Sequence, residues 1–259
     1  MIRWTVLGSG THVASAGRGS PGHLVEAGDT RILFDCGAGS FHGIARAGST
    51  PEEIDAVFLT HLHPDHVTDL APFLFRLRNA FRGGGRVKTV DIIGPEGTAA
   101  HVEALRSAHA PYLEAPELIA RVRETGAGET RLPGLVVRSV PVEHGVPALA
   151  YRAEDGEGAR AVYSGDTGRS DALLRLAAGA DLLVIEASFP NGAGERGHLT
   201  PEEAAAIAAG ADVKEMVLIH MNPECDETDM AAQCGPSFRG RVTVGEDGLV
   251  RVVERKGET

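Results

Sequence analysis

At 259 residues the chain can bury a full α/β core and is short for two independent domains, so residues 1–259 are expected to form one. Hydrophobic content of 42% and charged content of 24% are those of an ordinary soluble globular protein. The formal net charge of −11 argues against a broad surface for polyanions, and no unbroken apolar run of about 18 residues offers a transmembrane helix.

Met1 to Val6 enter a strand pattern directly, without the basic-then-apolar leader of a secreted protein, so a cytoplasmic location is the expectation. Gly8-Ser9-Gly10 follows; it is too short for a phosphate loop and lacks the Gly-Lys-Ser/Thr that completes one. Strand-like runs bounded by Gly, Pro or Asp recur at residues 3–8, 22–27, 31–35, 55–60, 88–93, 135–142, 147–153, 159–164, 181–187, 214–219, 240–244 and 249–253. Between them, Thr50-Pro51-Glu52-Glu53 is a capping box with Pro at the first helical position and predicts a helix after it. Another helix starts near Pro72, with Phe73, Leu74, Leu77 and Phe81 on one stripe and arginines opposite. The basic run Arg76, Arg78, Arg82, Arg86 and Lys88 reads as a solvated helix face, with the border of a phosphate-bearing substrate as the other reading. Gly83-Gly84-Gly85 and the stretch from Gly192 to Gly197 read as flexible loops. Thr200-Pro201-Glu202-Glu203 repeats the capping box before an Ala-rich helix ending near Gly210. Hairpin-like strands come first, then alternating strand and helix, then a closing strand pair. That order predicts sheets covered by helices on their outer faces, an α/β fold. Cys36, Cys225 and Cys234 cannot make a disulfide framework and read as reduced thiols.

The informative segment is Ala56-Val57-Phe58-Leu59-Thr60-His61-Leu62-His63-Pro64-Asp65-His66, an apolar strand running into four potential metal ligands. On an extended segment, positions two apart point to the same side, so His61 and His63 can share one ion. Pro64 restrains the following turn, and the bend lets Asp65 and His66 face a second ion. Imidazole nitrogen and carboxylate oxygen suit zinc at about 2.0–2.2 Å, and also manganese or iron. Further ligands are expected at other strand ends. His144 follows the run 135–142, Asp166 closes 161–166, and His220 comes directly after Ile219. Of the other histidines, His12 and His23 lie in or beside the first glycine-rich loop and are candidates for a substrate contact. His42, His101 and His109 fall in helical patterns and read as surface or satisfied core residues.

Thr60 to His66, His144, Ser164-Gly165-Asp166-Thr167 and Ile219-His220 resemble the metallo-β-lactamase superfamily in order and context, and the likeness runs from Asp35-Cys36-Gly37 to the final strands. Val162 to Thr167, Glu186-Ala187-Ser188-Phe189 and the Gly197-His198-Leu199-Thr200 turn are most similar to its ribonuclease Z and small phosphodiesterase branch. The resemblance implies an αββα sandwich, two mixed sheets flanked by helices, with two divalent metal ions, zinc first and Mn or Fe as alternatives. It implies His61, His63 and His144 on one ion, Asp65, His66 and His220 on the other, and Asp166 bridging. Glu186 and His198 match a pair that assists proton transfer, and Asp35 matches an aspartate supporting the metal loop from beneath.

Two such ions about 3.5–4 Å apart share a water and lower its pKa towards neutrality. The expected activity is therefore hydrolysis by a metal-bridging hydroxide, oriented by Asp65, with His198 as general acid and Glu186 holding its tautomer. The expected substrate is a small phosphodiester, a cyclic nucleotide or an RNA 3′ end. Only 21 residues separate His144 from Asp166, too few for the protruding arm with which ribonuclease Z-like enzymes grip tRNA, so nucleic acid is admitted but not favoured. The alternatives are β-lactam, lactone or thioester hydrolysis by the same metals. A glyoxalase-like Thr-Pro-Gly-His-Thr turn is replaced here by Val142-Glu143-His144-Gly145-Val146-Pro147. A non-catalytic scaffold is expected to have lost a ligand or the proton-transfer pair, and here every position is filled. Relatives of this type are often homodimers, so a homodimer is one expectation; no interface is legible.

Overall fold

β1 (Ile2–Gly8), β2 (Gly22–Ala27) and β3 (Thr30–Cys36) form an antiparallel meander, which β4 (Ala56–Phe58), β5 (Lys88–Gly94) and β6 (Leu118–Glu124) extend in parallel. A second sheet begins antiparallel with β7 (Gly128–Leu132), β8 (Leu135–Pro141), β9 (Leu149–Asp155) and β10 (Arg160–Tyr163). It continues in parallel with β11 (Leu182–Glu186), β12 (Glu215–Ile219) and β13 (Arg241–Val244), while β14 (Val250–Val253) returns to pair with β1. The structure is a computed structural model describing residues 1–254, and among these each sheet has seven strands.

The inner sheet faces meet in an aromatic-rich core of Trp4, Phe34, Phe58, Tyr151 and Tyr163 with Val184, Val217 and Ile219. α1 (Ser40–Arg46), α2 (Pro64–Val67), α3 (Leu70–Phe81) and α4 (Thr98–Ala108) cover the outer face of the first sheet, burying Ile44, Val67, Phe73, Leu77 and Val102 against Leu33, Val57 and Ile92. On the second sheet, α5 (Asp171–Leu176), α6 (Pro201–Gly210) and α7 (Met230–Gln233) bury Leu173, Ala204 and Met230 against Leu183, Met216 and Leu218. The four-layer expectation therefore holds. Central strands are covered on both faces, which is why β12 reads as unbroken Met-Val-Leu-Ile rather than alternating. Each such fully buried aliphatic contributes about 1.5–3 kcal/mol.

Three sequence expectations change. Thr50 and Glu53 do form their capping box, yet only a single 3-10 turn, Pro51–Glu53, follows. Asp55 N bonds Arg31 O (2.8 Å) and Arg31 N bonds Asp55 Oδ2 (3.0 Å), so pairing with β3 captures the chain before a helix can grow. The same box at Thr200 precedes Ala-Ala-Ala-Ile-Ala-Ala, strong helix formers, and α6 forms as expected. Second, 240–244 and 249–253 are not a pair with each other; β13 and β14 close different sheets. Third, β6 and β7 escape an apolar pattern search because they are charged edge strands, carrying Arg121, Arg123, Glu129 and Arg131.

The parallel strands β3, β4, β10, β11 and β12 all end at one rim, where open α/β sheets place their ligands. There the sheets are clamped: Tyr151 Oη donates to Leu59 O (2.7 Å) and Leu149 N to Thr60 O (2.9 Å). Among the described residues, no helix is long and apolar enough to cross a membrane.

Candidate metal centre

At the rim, the strand-end residues converge. After β4 the chain stays extended through His63 and then bends at Pro64, the first residue of α2, which turns Asp65 and His66 away from His61 and His63. His144 arrives from the loop after β8, Asp166 from the loop after β10, and His220 directly after β12. His220 adopts φ 56°, a left-handed conformation uncommon outside glycine. The ligand atoms of His61, His63, His144 and Asp166 lie within 4.8 Å of one another, as do those of Asp65, His66 and His220. Asp166 joins the groups: Oδ2 is 3.7 Å from His61 Nε2 and 3.4 Å from His220 Nε2, and Oδ1 is 3.4 Å from His66 Nε2.

The rings are held from behind, which determines which nitrogen faces inward. His66 Nδ1 donates to Asp35 Oδ2 (2.8 Å) and His144 Nδ1 to Gly197 O (3.0 Å). Thr60 Oγ1 donates to Asp35 Oδ2 (2.8 Å) and accepts from His61 Nδ1 (3.0 Å). The Nε2 atoms of these three rings are therefore the ones turned inward, available to present lone pairs to a cation. Asp35 also accepts from Thr60 N and from Tyr163 Oη, both at 2.7 Å, and is fully buried. It thus sits under the loop as the sequence suggests.

The donor set fits divalent cations. Asp166 Oδ1 is buried without a hydrogen-bond partner and faces His66 Nε2 at 3.4 Å. Two electron-pair donors in contact need a positive centre between them. Burial opposes a charged His66 ring, yet Asp166 and Asp35 on its two sides outweigh it and hold its pKa well above 6.5. Burial also opposes an ionised Asp166, but His220 and His66 prevail and keep its pKa well below the carboxylate range. Burial drives His61 the other way, well below the usual imidazole value.

Beside the clusters, Glu186 ends β11 fully buried, accepting from Thr167 N (2.7 Å, Oε1) and Leu199 N (3.1 Å, Oε2). His198 Nδ1 lies 3.1 Å from Glu186 Oε1. Burial lowers the His198 pKa, but Glu186 more than offsets this and pushes it up to about 9. The His198 ring stacks over His220 with centroids 5.7 Å apart.

A family model described as a β-lactamase superfamily domain matches residues 30–221. The chain belongs to the metallo-β-lactamase superfamily. Within it, the chain is 33% identical to the ribonuclease Z of Mycobacterium marinum, over 95% of this chain and 97% of that one. The fold is that of the metallo-β-lactamase fold protein YhfI from Bacillus subtilis (24% identity, TM-score 0.83, 97% and 100% of the two chains covered). It is also similar to the short form of human tRNase Z (23% identity, TM-score 0.80, 97% and 99% covered). The relatives make this metallo-β-lactamase superfamily member a metal-dependent hydrolase.

Other sequence candidates lie elsewhere in this superfamily member. A cleft of about 1090 Å3 opens beside His144 and His198, lined by Glu143, Arg169, Arg175, Glu195 and Arg196 and by none of the run from Arg76 to Lys88. Arg76 instead pairs with Glu52, Lys88 with Asp55, and Arg78 lies 5.9 Å from the Tyr112 ring. His23 is no substrate contact: it lies within β2, fully buried, with its ring 4.6 Å from that of Tyr163. His12 is exposed on the loop after β1. All three cysteines are free and buried. Sequence reasoning misses Thr60, Tyr163 and Ser188 as supports of the site. Ser188 had a signal, since it stands two residues beyond Glu186 where an extended chain returns to the same side.

Proposed function

We propose that His61, His63, Asp65, His66, His144, Asp166 and His220 hold two divalent cations, zinc first, and that the enzyme hydrolyses a small phosphodiester. The observation carrying this reading is the Glu186–His198 pair beside the two clusters: Nδ1 faces Glu186 at 3.1 Å, leaving Nε2 for a substrate in the cleft. When bound, such ions acidify a water and take up charge on phosphoryl oxygens. The chain's own residues do the rest. His198 gives a proton to the leaving alcohol, and Glu186 keeps the ring in the tautomer that can do so. Asp65, with Oδ2 3.6 Å from His220 Nε2, accepts a hydrogen bond from the attacking water at the edge of the site.

The relatives' name brings an RNA 3′ end into the range of substrates. Two observations favour a smaller diester. Between His144 and Asp166 the chain makes only the short β9–β10 hairpin, with no protruding arm. The cleft mixes Glu143, Asp171 and Glu195 with its arginines, which suits the polyanionic backbone of RNA poorly. The test is hydrolysis of bis(p-nitrophenyl) phosphate against nitrocefin, with zinc or manganese supplied. Turnover of the diester supports the reading; turnover of the lactam alone overturns it in favour of β-lactam hydrolysis.

A further inference from the structure

Ser188 is fully buried, and its hydroxyl oxygen has three partners: Glu186 Oε2 at 2.6 Å, His220 Nδ1 at 2.9 Å and His198 Nδ1 at 3.3 Å. A hydroxyl has one proton to donate. An ionised Glu186 only accepts, and the 2.6 Å separation is that of an O–H donating to a carboxylate, so the proton goes to Oε2. The Ser188 oxygen is then left to accept, and its nearer donor is His220 Nδ1. His198 Nδ1 has a closer acceptor in Glu186 Oε1, at 3.1 Å.

This direction of donation has a consequence for His220. With the proton on Nδ1, Nε2 carries the lone pair, and that atom lies 3.4 Å from Asp166 Oδ2, 3.6 Å from Asp65 Oδ2 and 3.4 Å from His66 Nε2. Glu186 thus acts on two histidines, on His198 directly through Oε1 and on His220 through the Ser188 hydroxyl. His61, His66 and His144 have their own acceptors in Thr60, Asp35 and Gly197, and Ser188 plays that part for His220.

We propose that Ser188 is a positioning residue that fixes the His220 tautomer and ties the Asp65–His66–His220 metal pocket to the Glu186–His198 proton-transfer pair. The proposal rests on the dinuclear phosphodiesterase reading above. Losing a hydrogen-bond partner behind a ligating histidine typically lowers metal affinity about 10- to 100-fold. Ser188→Ala should therefore weaken one of two metal equivalents by about tenfold or more in titrations against a competing chelator, and leave the other within about twofold. At saturating metal its kcat should fall with KM little changed. Ser188→Thr, which keeps the hydroxyl, should restore both the affinity and kcat.

Circular dichroism and thermal melting of the metal-free variants separate this from a folding defect. If wild type binds two metals and hydrolyses the diester while Ser188→Ala matches it in affinity and kcat, or loses only thermal stability, the proposal is overturned. It is equally overturned if Ser188→Thr behaves as Ser188→Ala while remaining folded. If wild type itself takes up no second metal, the reading beneath the proposal fails and the proposal with it.

Discussion

His66 Nε2 and Asp166 Oδ1 stand 3.4 Å apart as two electron-pair donors, the first held by Asp35 behind it and the second without a hydrogen-bond partner. Without metal, a proton on the His66 ring, whose pKa Asp166 and Asp35 hold well above 6.5 against burial, stands between them. A divalent cation would displace that proton and draw on both atoms at once.

Metal should accordingly stabilise the protein. A cation binding only the folded state adds about 4 kcal/mol at a thousand times its dissociation constant, which for a chain of this size is roughly 8–16 °C in Tm. Calorimetry with zinc and then with excess chelator checks this; an unchanged Tm would contradict it.

His198→Ala should lower kcat by about 10²- to 10⁴-fold with metal content retained, because in the proposed reading the lost group moves a proton. Loss of metal would instead place it among the ligands, since His198 also clusters with Asp166 and His220. The pH dependence has a definite sign. Burial depresses the His198 pKa and Glu186 overrides it, to about 9. The ring is protonated below that value in the metal-free protein, and two cations beside it would lower the value, so the basic limb of turnover is expected at or below about 9. Glu186→Gln removes the elevating charge and should move this basic limb to lower pH. Equal loss of metal and turnover in His198→Ala would sink the assignment.

Gly165 has φ +57°, and a Cβ there would stand 2.7 Å from Thr60 Cβ and 3.0 Å from Leu149 O. Gly165→Ala should therefore displace both Thr60 and the adjacent Asp166, with a stability loss of about 1–3 kcal/mol and weaker metal binding. Gly17, with nothing within 4 Å, is the control, and Gly17→Ala should be near neutral. Denaturant melts and metal titration of the two variants make the comparison.

The His61 to His66 loop is legible in the sequence because a period of two and a proline suffice to place four side chains in two directions. The strand-end positions of His144, Asp166 and His220 are legible for a similar local reason. What resists reading depends on convergence. Tyr163 reaches Asp35 across 128 residues of sequence, and Ser188 reaches His220 across 32, so their roles exist only once the sheets have closed. The two identical capping boxes show the same limit: each is satisfied locally, but strand pairing of Asp55 with Arg31 decides that one stops at a turn. His23 looks like a loop residue beside its glycines, yet the pairing of β2 with β1 and β3 seals it in the core.

His23 carries a pH prediction of its own. Burial, reinforced by His66 and His220, lowers its pKa from 6.5 to about 3, and neither ring nitrogen has a hydrogen-bond partner. The depressed value means that the unfolded chain takes up the proton first. Its neutral state supports the fold above about pH 6.5, and stability is lost as pH falls from there towards about 3. Between pH 7 and 5 the loss from this residue is about 2 kcal/mol. His23→Phe should flatten that part of the stability profile of the metal-free protein in urea melts at several pH values; an unchanged slope would contradict the assignment.

The proposed centre places seven side chains from separate strand ends around two cations. Elemental analysis of purified protein, loaded with zinc and freed of loosely bound metal, tests it most directly. Two equivalents per chain are expected, falling in His63→Ala along with turnover. No tightly held metal in the wild-type protein, or a His63→Ala variant that keeps both equivalents and full turnover, would contradict it.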